Sequence, residues 1–330
     1  MRPRHNSEPY IKSIKDQGDL IKYFLQENQI NMQSPAKADE NIINKENFMT
    51  QELDQEGKTR DPKEEAFLNA LHQRKVVTDA MKAGNLSCLP GADGYADTTP
   101  AVNLVNGTFY HGSNMLFLKE HTRENGYPTA EYLTSAQIDK AREEKPDLFI
   151  RKGEKGISIY VSEQNENTGE YDSKNIRLFN VAQTNKPQAF KDYAEQKQEE
   201  KFQEREAYLK TQYGSNYTLE KKQKEPGVNI VCSSTEPEKY LGQYLAAVSM
   251  GSKFKVSQEQ AAEFSKNMEA KIYERHEKYG NHTNPFSLSE IGRDASQHCK
   301  TAIKEAKMEA QKLENPGQKL EQTQSRGHKM

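Results

Sequence analysis

Along most of the chain the apolar residues recur three and four apart, and near residue 157 they switch to strict alternation. Ile157, Ile159 and Val161 alternate with Ser158, Tyr160 and Ser162, and residues 176–181 supply a second apolar run, so the pattern predicts two strands. Residues 165–169 offer the turn that would join them as an antiparallel hairpin. Ahead of the hairpin, Asp61-Pro62-Lys63-Glu64 is a helix start. Asp can cap, Pro fits the first turn, Glu complements the unpaired amides, and Ala66, Phe67, Ala70, Leu71, Val77 and Met81 follow at helical spacing up to Gly84. Asn106-Gly107 marks a tight turn, Ser113 or Asn114 is placed to cap a helix carrying Met115–Leu118, and Thr134-Ser135-Ala136-Gln137 has the form of a capping box for a helix reaching Glu144.

Beyond the hairpin the pattern is helical. Residues 187–212 form a charged helix with Phe190, Tyr193, Phe202 and Leu209 on a thin stripe. Pro237, Ser257 and Ser289 lie at the openings of three more helices, the first ending at Gly251, the second at Gly280 and the third near Leu313. The Cys88–Pro100 segment, with its Pro-Gly and Asp-Gly pairs, is expected to cross the domain surface or to stay mobile. The fold class that follows is α+β, a small antiparallel sheet with packed helices. The divisions expected are a polar arm over 1–60 with one short helix at 11–30, an α+β domain over 61–190, a helical region over 191–314 and a polar tail over 315–330.

Composition trims this picture. With 330 residues, 33% hydrophobic and 29% charged, and a mean hydropathy of -1.03, there is apolar material for one compact core but not for ordering the whole chain. A net charge of -2 excludes a globally basic nucleic-acid coat, so contact with DNA must come from a local patch. No apolar run approaches the roughly 20 residues that span a bilayer, and the first ten residues lack the apolar centre of a signal peptide, which points to a soluble, cytoplasmic protein. Three cysteines without CxxC spacing suggest neither a disulfide framework nor a zinc knuckle.

Candidate chemistry concentrates at Arg151-Lys152-Gly153-Glu154-Lys155-Gly156. Three cations beside a glycine turn can present charge and free amides to phosphates, and Arg177 is placed to face them across the hairpin. The same letters also fit an ordinary exposed turn. The GxxG spacing of a KH loop is present, but that loop joins two helices and this one leads into a strand; GxxxxGK[ST] is absent. Phe109, Tyr110, Tyr127, Tyr132, Tyr160 and Phe179 lie in the same stretch. Phe109, Phe117 and Phe179 are expected in the core, whereas Tyr110 and Tyr132 are the better candidates for stacking on bases. His276-Glu277 is not followed by the second histidine of HExxH, since the next is His282. No catalytic arrangement, metal site or cofactor site is expected.

Asn103, the Asn106-Gly107 turn, Tyr110-x-Gly112-x-Asn114, Tyr132-Leu133-Thr134-x-x-Gln137, Arg151–Gly156 and Phe179-Asn180-Val181-x-Gln183 together resemble the N-terminal single-stranded-DNA-binding domain of ArdC-type antirestriction proteins. A similar module occurs in conjugative primases. The resemblance covers roughly 85 residues and implies a non-enzymatic protein of a mobile element that binds single-stranded DNA, accompanies or protects incoming DNA and blunts host restriction. On that resemblance Arg151, Lys152 and Lys155 would hold phosphates, joined by Arg177 through its place across the hairpin, Tyr110 and Tyr132 would stack bases, and Asn114, Thr134, Gln137 and Gln183 would hydrogen-bond or shape the groove. Asn114, Thr134 and Gln183 fit structural caps as well. The family often carries a zinc metallopeptidase-like domain after this module, and this chain has helices without HExxH there, so proteolysis is not carried over. Two rivals remain open: a module whose C-terminal helices grip a host restriction, defence or conjugation protein, and a divergent metallopeptidase using His276 and His282.

Overall fold

A computed structural model describes residues 62–164, 171–213, 229–276, 282–284 and 286–314. The arm before residue 62 with its expected helix at 11–30, the turn expected at 165–169 and the tail from 315 lie outside the described residues. The elements in chain order are α1 (Pro62–Lys82), β1 (Tyr95–Ala96), β2 (Val102–Asn103), α2 (Gly112–Glu124), β3 (Glu131–Thr134), α3 (Ser135–Glu144), β4 (Ile157–Gln164) and β5 (Tyr171–Asn180). After a 3-10 turn at Val181–Gln183 come α4 (Pro187–Tyr213), β6 (Ile230–Val231), α5 (Pro237–Met250), β7 (Phe254–Lys255), α6 (Gln258–Ile272), β8 (Arg275–His276), β9 (His282–Thr283) and α7 (Ser287–Glu314). The α+β class expected from the alternation is the one observed.

The main sheet runs β2-β3-β5-β4. Strands β4 and β5 form the expected antiparallel pair, with Ile157 opposite Leu178 and Gln164 opposite Tyr171. Successive side chains of a strand point to opposite faces, and here the two faces are covered by different helices. Tyr132, Ile157, Ile159 and Leu178 join the core made with α1, α2, α5, α6 and α7. Leu133 and Val181 join a second cluster with Ile138 and Ala141 of α3, Phe190, Tyr193 and Ala194 of α4, and Leu104 and Leu148 from the connecting segments.

The division expected at residue 190 corresponds to no break in this core. One continuous cluster contains Val77 and Met81 of α1, Phe117 of α2, Tyr240 and Tyr244 of α5, Phe264 of α6 and Ile291 of α7. The segment from Cys88 to Pro100, expected to cross the surface or to stay mobile, runs largely over the surface but is tied down there, strapping the two halves together. Its strand β1 pairs with β7, Tyr95 opposite Lys255. Tyr240 donates to the Cys88 carbonyl at 2.8 Å and Tyr244 to the Asp97 carbonyl at 2.9 Å. Lys119, its side chain 6% exposed, donates to the Asp97 carbonyl at 2.6 Å and pairs with the Asp97 carboxylate at 2.8 Å. A buried ammonium is tolerable only with such partners.

Small residues set how closely the helices approach. Gly112 opens α2 with a left-handed φ of 58°, against Gly292 of α7; a Cβ added to Gly292 would lie 2.3 Å from the Ser113 nitrogen. Helix α2 does not begin with the expected cap at Ser113 or Asn114, which lie inside it: His111 is the N-cap and makes no side-chain cap bond. Gly251 ends α5 in the left-handed conformation, as expected. Helix α6 stops at Ile272 rather than at Gly280, because the chain leaves it to pair β8 with β9. Helix α7 begins at Ser287, two residues before the expected Ser289, and reaches Glu314.

Candidate nucleic-acid interface

The basic turn is held from below by the chain that follows the hairpin. Ile150 bridges Thr184 in antiparallel fashion, the Arg151 amide donates to the Gln183 carbonyl at 3.0 Å, and the Asn185 amide donates to the Phe149 carbonyl at 3.0 Å. The Asn185 side chain in turn accepts from the Phe149 amide at 3.0 Å. Gly153 adopts a φ of 90°, open to glycine and strained for other residues. At Gly156 the turn passes beneath β5, where an added Cβ would lie 2.8 Å from both Arg177 Cγ and Phe179 Cζ. Arg177 therefore sits beside the turn, as the hairpin pattern implied. Arg151, Lys152, Lys155 and Arg177 are all exposed.

One carboxylate intrudes on these cations. Glu154 Oε1 accepts from Arg151 Nε at 3.1 Å and from Arg151 Nη2 at 2.5 Å, and its other oxygen accepts from Gln183 Nε2 at 3.2 Å. The hydrogen bond from Arg151 holds the Glu154 carboxyl below its ordinary range. The guanidinium is oriented for an oxyanion and, in this state, is occupied by the chain's own.

The remaining sequence candidates fall elsewhere. Tyr132 is 0% exposed, and its hydroxyl donates to the Leu118 carbonyl at 3.0 Å beside Thr122 Oγ1 at 2.8 Å and His121 Nδ1 at 2.9 Å. Burial pushes its phenol up, and it is a core residue, closed to stacking. Tyr110 is half-buried, stands edge-on to Tyr132 with ring centroids 6.5 Å apart, and has its phenol pushed up to about 12 by burial. Thr134 and Gln137 are the two halves of the capping box of α3, and Gln137 also exchanges hydrogen bonds with Asn103 at 2.9 and 3.2 Å. Gln183 is buried, accepts from the Asn180 amide at 2.8 Å and donates to the Lys155 carbonyl at 2.9 Å. Of this group only Gln183 touches the basic turn, and it does so as a support. Asn114 is half-buried in the first turn of α2 and has a partner of its own.

Two aromatics beside the turn escaped the stacking candidates. Phe149 is 44% exposed and lies two residues before Arg151 in an extended, bridged segment, so both side chains project to the same side. The signal was present in that spacing, but a phenylalanine after Leu148 reads first as core. Tyr127 is half-buried, and its phenol is raised by burial and by Glu154 nearby. His276 is the backbone register partner of His282 in the β8–β9 pair. Among the described residues no group of three or more His, Cys, Asp or Glu is placed to hold a metal ion, and no helix is long and apolar enough to cross a membrane.

Residues 75–216 match the family model of the N-terminal domain of anti-restriction factor ArdC. No curated protein matches the chain. Among solved structures, the metal-free antirestriction protein ArdC from the R388 plasmid is 14% identical, with a TM-score of 0.37 over 71% of this chain and 96% of that one. The Mn(II)-bound form is 13% identical, with a TM-score of 0.41 over 72% of this chain and 97% of that one. Likenesses of this size establish nothing further about the chain. The family match spans the basic turn, the hairpin and every motif that carried the resemblance, and on it residues 75–216 are an ArdC-type N-terminal domain.

Proposed function

We propose that the chain is a non-enzymatic, single-stranded-DNA-binding protein with an anti-restriction role on a mobile element, and that the turn at residues 151–156 with Arg177 grips the phosphate backbone. The observation that supports this most is the cluster of four exposed cations around a glycine turn, within the segment matched to the ArdC N-terminal domain. Backbone amides and guanidinium groups at such a turn suit phosphate oxygens. The chain's overall negative charge confines binding to this patch. Capture of a host protein by the C-terminal helices is the less favoured alternative, because α5, α6 and α7 turn their apolar faces into the common core.

Fluorescence anisotropy of a labelled single-stranded oligonucleotide tests the reading, with duplex DNA alongside. Wild type should prefer the single strand. Arg151→Ala/Lys152→Ala/Lys155→Ala should weaken binding and lower the slope of log affinity against log salt by about 2, at ~0.7 per phosphate contact. Absence of binding by wild type, or an unaffected triple variant, removes the proposal.

A further inference from the structure

We infer that Phe149 is the ring on which an unpaired base stacks, and that it makes the site select single strands over duplex; this rests on the proposed phosphate grip of the neighbouring turn. The ring is one of the few large apolar side chains among the described residues that stay substantially exposed, at 44%. Unlike an ordinary surface phenylalanine, it is presented by a fixed backbone. Its amide and carbonyl are both bonded to Asn185 at 3.0 Å, and the next residue bridges Thr184. A ring held in this way loses little freedom when a ligand stacks on it.

Placement supplies the chemistry. Phe149 and Arg151 are two residues apart in extended chain, a Cα spacing of about 7 Å, comparable to the reach from a base to its own phosphate. A ligand that satisfies both must carry a flat apolar face and an anion one short link apart, and a nucleotide of an unstacked strand does. In duplex DNA the base faces are already occupied by their neighbours, so the ring has nothing to receive. The flanking carboxylate, Asp147, is paired with Lys186 at 2.6 Å, which reduces its repulsion of a phosphate. Base stacking tolerates any sequence because every base has a π face. The aromatic contribution is insensitive to salt, whereas that of the arginine and lysines is not.

The chain contains no tryptophan, so Phe149→Trp places a single indole at the proposed contact. Its emission should be quenched as oligo-dT is added, with the same midpoint as anisotropy of the labelled oligonucleotide, and should not respond to duplex DNA. Phe149→Ala and Phe149→Leu should each bind the single strand about 10-fold more weakly, with the salt slope of wild type. Far-UV circular dichroism should be unchanged, because the ring is at the surface. If the tryptophan variant binds oligo-dT with unaltered emission, or if the leucine variant binds like wild type, the ring is not a base platform while the phosphate grip stands. If wild type binds no single strand by anisotropy, the grip itself is absent and the inference falls with it.

Discussion

Helices α2 and α7 approach closely at Gly292, and Gly292→Ala tests the contact with an unambiguous sign. In an exposed helix interior, replacing glycine by alanine stabilises by about 1 kcal/mol through the unfolded chain and the helix backbone. At Gly292 the added Cβ would stand 2.3 Å from the Ser113 nitrogen and 3.0 Å from Ser113 Cβ. Ordinary contact begins near 3.4 Å, so the helices must separate by roughly 1 Å, and the atom in the way is backbone, which cannot swing aside. Gly112 on the other side cannot yield easily, since its own Cβ position is 2.7 Å from the Gly292 carbonyl oxygen. Overpacking of a tight core costs typically about 1–3 kcal/mol, and a 1 Å displacement of two long helices belongs at the upper end. Subtracting the helix gain leaves a net loss of about 2 kcal/mol, or roughly 4–8 °C in Tm for a domain of this size. Urea unfolding followed by circular dichroism reads the difference directly. A midpoint that rises would mean that α7 does not rest on α2 as described.

Two further outcomes can be measured with the same protein. Glu154→Gln removes the carboxylate that occupies Arg151, and since exposed pairs of this kind contribute about 0.2–1 kcal/mol, single-strand affinity should rise roughly 1.4- to five-fold at low salt and converge with wild type at high salt; weaker binding would show that Glu154 positions the arginine instead of competing for it. Burial, and secondarily His72, lowers the His121 imidazole from 6.5 to about 4, so between those values the unfolded chain binds a proton that the native state refuses. Stability contributed by the neutral ring is complete above about pH 6.5 and is lost as pH falls toward 4. His121→Gln should flatten that part of the curve in urea titrations at about pH 7 and pH 5, and a curve as steep as wild type would assign the effect to another group.

Local rules carried well from letters to structure where one residue decides. Thr134 and Gln137 form the box their spacing suggests, Ser257 and Gln260 do the same for α6, and the alternation over 157–161 becomes β4. Long-range contacts were not legible in the same way. Nothing in Cys88–Pro100 announces that its carbonyls will receive Tyr240 and Tyr244, or that β1 will pair with β7, because the partners lie some 150 residues away. The exposure of the aromatics was hidden for a related reason. A tyrosine hydroxyl favours the surface, yet Tyr132 finds Thr122, Leu118 and His121 inside the core, while Phe149 has no such group and remains at the surface.

The strap from Cys88 to Pro100 also bears on the order in which the chain can fold. Its closing bonds join residues 147 and 152 apart, and Arg74 of α1 donates to the Asn284 carbonyl across 210 residues. Loop-closure entropy must be met before such contacts return any stability, so folding dominated by them is slow. On a ribosome the hairpin and α1–α3 emerge early, with Val77, Phe117 and Leu178 waiting for α5 and α7 to cover them. The basic turn and its support at Gln183–Asn185 can be assembled from contacts within residues 149–185, but the sheet face carrying Ile157 and Leu178 is covered only after α7 has been synthesised.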